Sequence, residues 1–179
     1  MTAAPTPGQT VGPFFGYALP FPRDNELVPS GTPGAVRLRG RVHDGAGDPV
    51  PDAILELWQT DAEGRVVQEA GSLRRDGFTF TGFGRASTDR EGRYAFSTLA
   101  PGAPFFAITV LARGLTNRLF TRAYLPGASD AFLEALDEEG RSTLLTIEDE
   151  TGPVKGYVFD LHLQGERETV FLVYPRHER

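Results

Sequence analysis

The chain has no cysteine, one methionine, one tryptophan, three histidines and a single lysine, Lys155, in 179 residues. Without cysteine it can form no disulfide scaffold, thiolate zinc site, iron–sulfur cluster or cysteine nucleophile. The same absence fits either redox compartment. Three histidines also limit any metal site that this chain builds alone. Excess positive charge is lacking as well: the net charge is −6 and the pI about 5.1, which argues against binding to nucleic acid or an acidic membrane. No apolar run reaches the length of a membrane span. There is no GxxxxGKS/T loop, GxSxG elbow or HExxH helix, and no fixed-period repeat. The start of the chain shows neither a basic n-region nor an apolar h-region, since the first basic side chain is Arg23; a cytoplasmic location is therefore expected.

What is present points to one β-rich domain. The length suits a single core, and 40% apolar with 23% charged residues is ordinary for a globular protein. Apart from Lys155 every basic side chain is arginine. Codon bias in a GC-rich genome explains this, and so does a use of planar forks at interfaces or on carboxylates. Seven of the 14 prolines fall in the first 35 residues, which argues against a helix or a central strand there. The same stretch carries Phe14, Phe15, Tyr17 and Phe21, too many aromatics for a disordered tail, so it reads as an extended arm docked on a surface. The division expected is an arm over 1–35 and a sandwich over 36–179.

From Ala35 onward the periodicity is that of strands. Val36, Leu38 and Val42 alternate with Arg37, Arg39 and Arg41. Strands are predicted over 53–59, with Trp58 as a core anchor, and over 83–88 and 93–99. Residues 105–112 form a nearly continuous apolar run, which predicts a central strand buried on both faces. Further strands are predicted over 118–125, 154–163 and 169–174, the second placing Tyr157, Phe159, Leu161 and Leu163 on one face. One short helix is predicted, capped by Ser129 or Asp130 and ended by Gly140. Short strands separated by turn signals predict an all-β fold, a β-sandwich of antiparallel strands. His43, His162 and His177 lie far apart and read as ordinary histidines. Glu148-Asp149-Glu150 reads as a solvated loop, because its spacing matches no calcium loop.

Several ordered motifs resemble those of the intradiol ring-cleavage dioxygenases. They begin with Gln9-Thr10-Val11-Gly12-Pro13-Phe14-Phe15 and continue through Gly40-Arg41-Val42-His43-Asp44, Pro51-Asp52-Ala53 and Leu57-Trp58-Gln59-Thr60-Asp61. Gly82-Phe83-Gly84-Arg85-Ala86, Leu111-Ala112-Arg113-Gly114, Thr121-Arg122-Ala123-Tyr124-Leu125 and Leu163-Gln164-Gly165-Glu166-Arg167 extend the likeness along the chain. The resemblance implies a non-haem Fe(III) held by two tyrosines and two histidines. It further implies the cleavage of 3,4-dihydroxybenzoate by O2 to 3-carboxy-cis,cis-muconate. The family's His-X-His strand corresponds here to Pro104-Phe105-Phe106-Ala107-Ile108, so Phe105 and Ala107 stand at the histidine positions. No tyrosine lies between Gly64 and Gly82 or within 99–103, where the tyrosines are expected. The pattern resembles the alpha type of chain, with no metal ligand of its own. The Fe(III) would then be bound by a homologous beta subunit, and αβ protomers would build a larger assembly. By the same resemblance Thr10, Gly12, Pro13 and Phe14 would line the partner's substrate pocket, although family members often carry tyrosine where Phe14 stands. Arg113 would face an anionic substrate or form an interface ion pair, and Arg122 would serve the interface. Two other readings stay open at this point: a β-sandwich binding or structural module, and a standalone dioxygenase with relocated ligands.

Overall fold

The structure, a computed structural model, describes residues 10, 12, 14–69 and 75–174. The strands are β1 (Ala35–His43), β2 (Ile54–Trp58), β3 (Phe83–Ser87), β4 (Arg93–Leu99), β5 (Phe105–Leu111), β6 (Leu119–Tyr124), β7 (Ile147–Asp149), β8 (Gly156–Val158) and β9 (Leu161–His162). The helices are α1 (Phe15–Ala18), α2 (Ala131–Ala135) and α3 (Glu138–Ser142). One sheet has the order β3-β2-β5-β6 and is antiparallel throughout. The other has the order β4-β1-β8-β7, with β9 also paired to β1. It is mixed, because β1 runs antiparallel to β4 but parallel to β8 and β9. The all-β sandwich is thus as expected, with parallel pairing added at β1. Among the described residues no helix is long and apolar enough to cross a membrane.

Alternation explains which faces meet. Val36, Leu38, Gly40 and Val42 of β1 are buried, while Arg37 and Arg41 are exposed. Leu38, Val42, Phe96, Phe159 and Leu161 face Leu55, Leu57, Ile108, Val110 and Ala123 across the sandwich. Burial of each of these side chains except Ala123 is worth about 1.5–3 kcal/mol. β5 is interior to its sheet, and Phe106, Ile108 and Val110 are at most 1% exposed. Trp58 is not a core anchor. It lies on the outer face of its sheet, 47% exposed, with its ring centroid 4.5 Å from that of Phe83.

The predicted strand over 154–163 is interrupted at Phe159-Asp160, opposite Gly40 and Arg41. A Cβ on residue 40 would lie 1.8 Å from the Phe159 carbonyl oxygen, so only glycine fits. At the break Asp160 replaces a backbone acceptor and takes the Arg41 N–H at 2.8 Å. The Phe159 carbonyl accepts the buried Tyr94 hydroxyl at 2.6 Å. Tyr157, Phe159, Leu161 and Leu163 are all buried, as the alternation predicts. His43 and His162, distant in sequence, lie in register and stack with ring centroids 4.9 Å apart.

The N-terminal segment docks on the chain's own sandwich. The Asp24 carbonyl accepts the Arg85 N–H of β3 at 2.8 Å, and the Asn25 carbonyl accepts the Ser97 N–H of β4 at 3.0 Å. It therefore closes the adjoining edges of both sheets, whose polar groups would otherwise face solvent. Leu27 is buried beside Gly84, where a Cβ would meet its Cδ1 at 2.3 Å. The helix-free expectation fails locally: α1 fits in the proline-free interval between Pro13 and Pro20, with Phe15 buried.

Three other elements differ from expectation. The single helix is broken at Leu136 (ψ 152), because Asp137 caps a second one by accepting the Gly140 N–H at 2.8 Å. Gly140 consequently lies inside α3. The acidic triplet is not a free loop, since Glu148 and Asp149 belong to β7 and hold Lys155 and Arg39. Residues 169–174 are not a strand; Val170 and Leu172 reach β6 through bonds to the Thr121 hydroxyl and the Phe120 carbonyl.

Tyr94→Phe leaves the Phe159 carbonyl without its donor and should cost about 1–3 kcal/mol in urea denaturation. Burial, with Asp160 nearby, raises the Tyr94 phenol well above its ordinary value of 10.0. The folded state thus holds this proton where the unfolded chain releases it, so this group's stabilisation is lost as pH rises above about 10. The stability gap between wild type and Tyr94→Phe should narrow over that range; a constant gap would show that the phenol does not remain protonated.

Candidate functional site

Two regions concern the predicted site: the outer face of the antiparallel sheet and the turn that follows β5. On β5 the side chains of Phe106, Ile108 and Val110 point into the core, so Phe105, Ala107 and Thr109 face outward. Pairing aligns Phe83, Trp58, Ala107 and Arg122 in one row across all four strands. Arg85, Glu56, Thr109 and Phe120 form the next row, in which Arg85 pairs with Glu56.

Arg122 stands beside Phe105 and Ala107. Its guanidinium carbon lies 4.3 Å from the Phe105 ring centroid and 5.1 Å from that of Phe132. Two faces of π density and one carboxylate hold the cation. Nη1 donates to Asp130 Oδ2 at 2.9 Å and to the Tyr124 hydroxyl at 3.1 Å. Tyr124 in turn donates to Asp130 Oδ1 at 2.8 Å, and that oxygen also accepts the Leu133 N–H at 2.9 Å. Asp130 is therefore more than the helix cap the sequence predicts. Burial opposes its charge, but the Leu133 amide, the Tyr124 hydroxyl and Arg122 together hold its carboxyl below the ordinary range. Burial, the largest influence on Tyr124, raises that phenol.

This face does not suit a metal ion. Phe105 and Ala107 offer no donor atom, and the polar group beside them is a guanidinium, which repels cations. Among the described residues no group of three or more His, Asp or Glu side chains converges.

The second region begins where β5 ends. Ala112 is buried, the Leu115 N–H returns to the Ala112 carbonyl at 3.2 Å, and Gly114 takes φ +91. This turn projects Arg113, whose side chain is 65% exposed and paired with Asp52. Both residues border a hollow of about 440 Å³ with Pro51, Leu163 and Gln164. Gly16 of α1 lies near Asp52: a Cβ placed on it would be 3.9 Å from the Asp52 Cβ. The predicted arm residues lead into α1. Thr10 is exposed and accepts the Gly12 N–H at 3.3 Å; Gly12 has φ +76. The Phe14 carbonyl opens α1, while its ring is 76% exposed. Pro13 lies outside the described residues. The structure thus pairs Arg113 with Asp52, near which α1 also passes; sequence reading placed Asp52 in a motif without a role.

A family model described as "Dioxygenase" matches residues 10–110. The chain is 37% identical to the protocatechuate 3,4-dioxygenase alpha chain of Burkholderia cepacia, an alignment covering 95% of this chain and 98% of that one. It belongs to the intradiol dioxygenase family. Within that family it is also 32% identical to the protocatechuate 3,4-dioxygenase beta chain of Burkholderia cepacia, over 88% of this chain and 78% of the relative. Among solved structures, the dioxygenase domain of a dioxygenase–carbohydrate-binding protein fusion from Streptomyces sp. SirexAA-E superposes with a TM-score of 0.60. It shares 28% identity over 90% of this chain and 99% of its own. An intradiol dioxygenase chain similar to an alpha chain along nearly its whole length is not well described as a generic sandwich module.

Asp130→Ala removes a helix cap and leaves Arg122 and Tyr124 without their shared acceptor. Loss of about 2 kcal/mol is expected by chemical denaturation. A change under 0.5 kcal/mol would show that the cluster does not hold this face together.

Proposed function

We propose that this chain is the iron-free alpha subunit of a two-chain ferric intradiol dioxygenase acting on 3,4-dihydroxybenzoate. The partner is a homologous beta subunit that holds the Fe(III), and αβ protomers build the larger assembly. In this reaction O2 is consumed, the bond between the two hydroxyl-bearing carbons breaks, and both oxygen atoms enter 3-carboxy-cis,cis-muconate.

The observation that carries this reading is the outer face of β5. A chain of this family with Phe105 and Ala107 beside a held guanidinium has no means of ligating iron there. Its similarity to both alpha and beta chains of a two-chain dioxygenase supplies the partner's chemistry.

What this chain's own residues do is shape and charge the partner's substrate pocket. Thr10, Gly12, Pro13 and Phe14 line it. Glycine and proline permit a close, rigid backbone approach, and the Phe14 ring gives apolar contact to the substrate ring. Arg113 supplies positive charge to the substrate carboxylate: Nη2 goes to Asp52, leaving the other donors of the fork for an anion. Arg122 is engaged by Asp130 and two rings, and takes no part in substrate binding.

Purified alone, the chain should bind no stoichiometric iron and consume no oxygen with 3,4-dihydroxybenzoate. Co-expressed with the homologous iron-bearing chain of the same genome, it should form a stable complex with ring-cleaving activity, read by oxygen uptake and product absorbance. Full activity of the partner without this chain would overturn the proposal. In the complex, Arg113→Ala should raise KM for 3,4-dihydroxybenzoate about tenfold, the loss expected for one charge-assisted contact. Unchanged kinetics would remove Arg113 from the pocket.

A further inference from the structure

Resting on the role proposed for Arg113, we infer that Asp52 is a positioning residue that aims its guanidinium at the substrate carboxylate. Asp52 occupies the left-handed region at φ +59, where side chains other than glycine, asparagine and aspartate are rare. The turn that carries it is fixed from both sides. Thr88 Oγ1 donates to the Val50 carbonyl at 2.8 Å and accepts the Ala53 N–H at 2.9 Å. The Thr88 N–H meets the Ala53 carbonyl at 2.9 Å, and Ala53 is fully buried.

The carboxylate is used unevenly. Oδ2 takes Arg113 Nη2, while Oδ1 is buried without a hydrogen-bond partner among the described residues. An ion pair this exposed contributes little to folding. A left-handed backbone and an unpaired buried oxygen both cost free energy. Stability therefore does not account for the arrangement, whereas orientation does. A largely exposed arginine samples many rotamers, and one fixed carboxylate restricts them. Holding Nη2 leaves the opposite edge of the guanidinium for a second anionic group. Asp52 also lies near α1, where a Cβ placed on Gly16 would come within 3.9 Å of the Asp52 Cβ.

The test uses the assembled αβ complex with Asp52→Asn and Asp52→Gly, two residues that accept this backbone conformation. KM and kcat are measured for 3,4-dihydroxybenzoate. Catechol, which lacks the carboxylate, is measured in parallel as substrate or competitive inhibitor. Both variants should raise KM for the carboxylate substrate about three- to tenfold with kcat within twofold, and leave the catechol constant unchanged. On an Arg113→Ala background they should have no further effect. A purely structural role would shift both compounds alike and would overturn the inference. So would an unchanged or lowered KM while Arg113→Ala still raises it, the lowered value meaning that Asp52 masks the charge. If Arg113→Ala itself leaves KM unchanged, the proposed role of Arg113 fails, and the inference with it.

Discussion

Strand β1 must accept neighbours from the middle and the far end of the chain, and it can do so only because residue 40 has no side chain. The Phe159 carbonyl occupies the space a Cβ would take. Around this contact the polar groups of the interrupted strand are satisfied by side chains, with Asp160 taking the Arg41 N–H and Tyr94 supplying the Phe159 carbonyl. The mixed sheet, and hence one wall of the core, depends on that exchange. The antiparallel sheet then packs its alternating face against this wall and presents the other face outward.

Phe105, Ala107, Arg122 and Arg113, on which the proposed role turns, sit on or beside that outward sheet. Its central strand β5 carries Phe105 and Ala107 outward, its neighbour β6 brings Arg122, and the turn after β5 projects Arg113. After α1 passes near Asp52, the N-terminal segment seals the corner where β3 and β4 meet. Arginine recurs at each junction, on carboxylates, carbonyls and aromatic faces. Arg75 spans the Asp24 and Phe83 carbonyls, Arg85 pairs with Glu56, and Arg122 lies between two rings. These planar contacts suit a guanidinium better than an ammonium. They favour the fork-based explanation of a chain with one lysine.

Much of this was legible in the residues. Strict alternation in β1 and the apolar run of β5 have only one comfortable arrangement, and the turn clusters between them mark the ends. The missing donors at Phe105 and Ala107 were equally plain, because side-chain chemistry at a known strand position needs no coordinates. Trp58 looks like core by size, although its parity with Glu56 on β2 was itself a readable sign that it faces outward. Features set by tertiary neighbours were not legible. Asp137 ends one helix by starting another, a competition between two caps that periodicity alone does not resolve. The stack of His43 on His162 follows from a parallel register between residues more than 100 positions apart. Asp52 gave no local signal at all, since its partner Arg113 lies 61 positions further along the chain.

The parallel pairing of β1 also has a consequence for how the molecule is made. The bond from Arg41 to Asp160 spans 119 positions, and the strands around it cannot pair until both have left the ribosome. Most of the chain must therefore be synthesised before its first strand finds its remaining neighbours, β8 and β9. Until then β1 has β4 on one side and an open edge on the other. Contacts of such separation slow folding and leave strand edges exposed to other chains meanwhile. For a protein with this topology, the vulnerable interval is the delay between the emergence of β1 and that of β9.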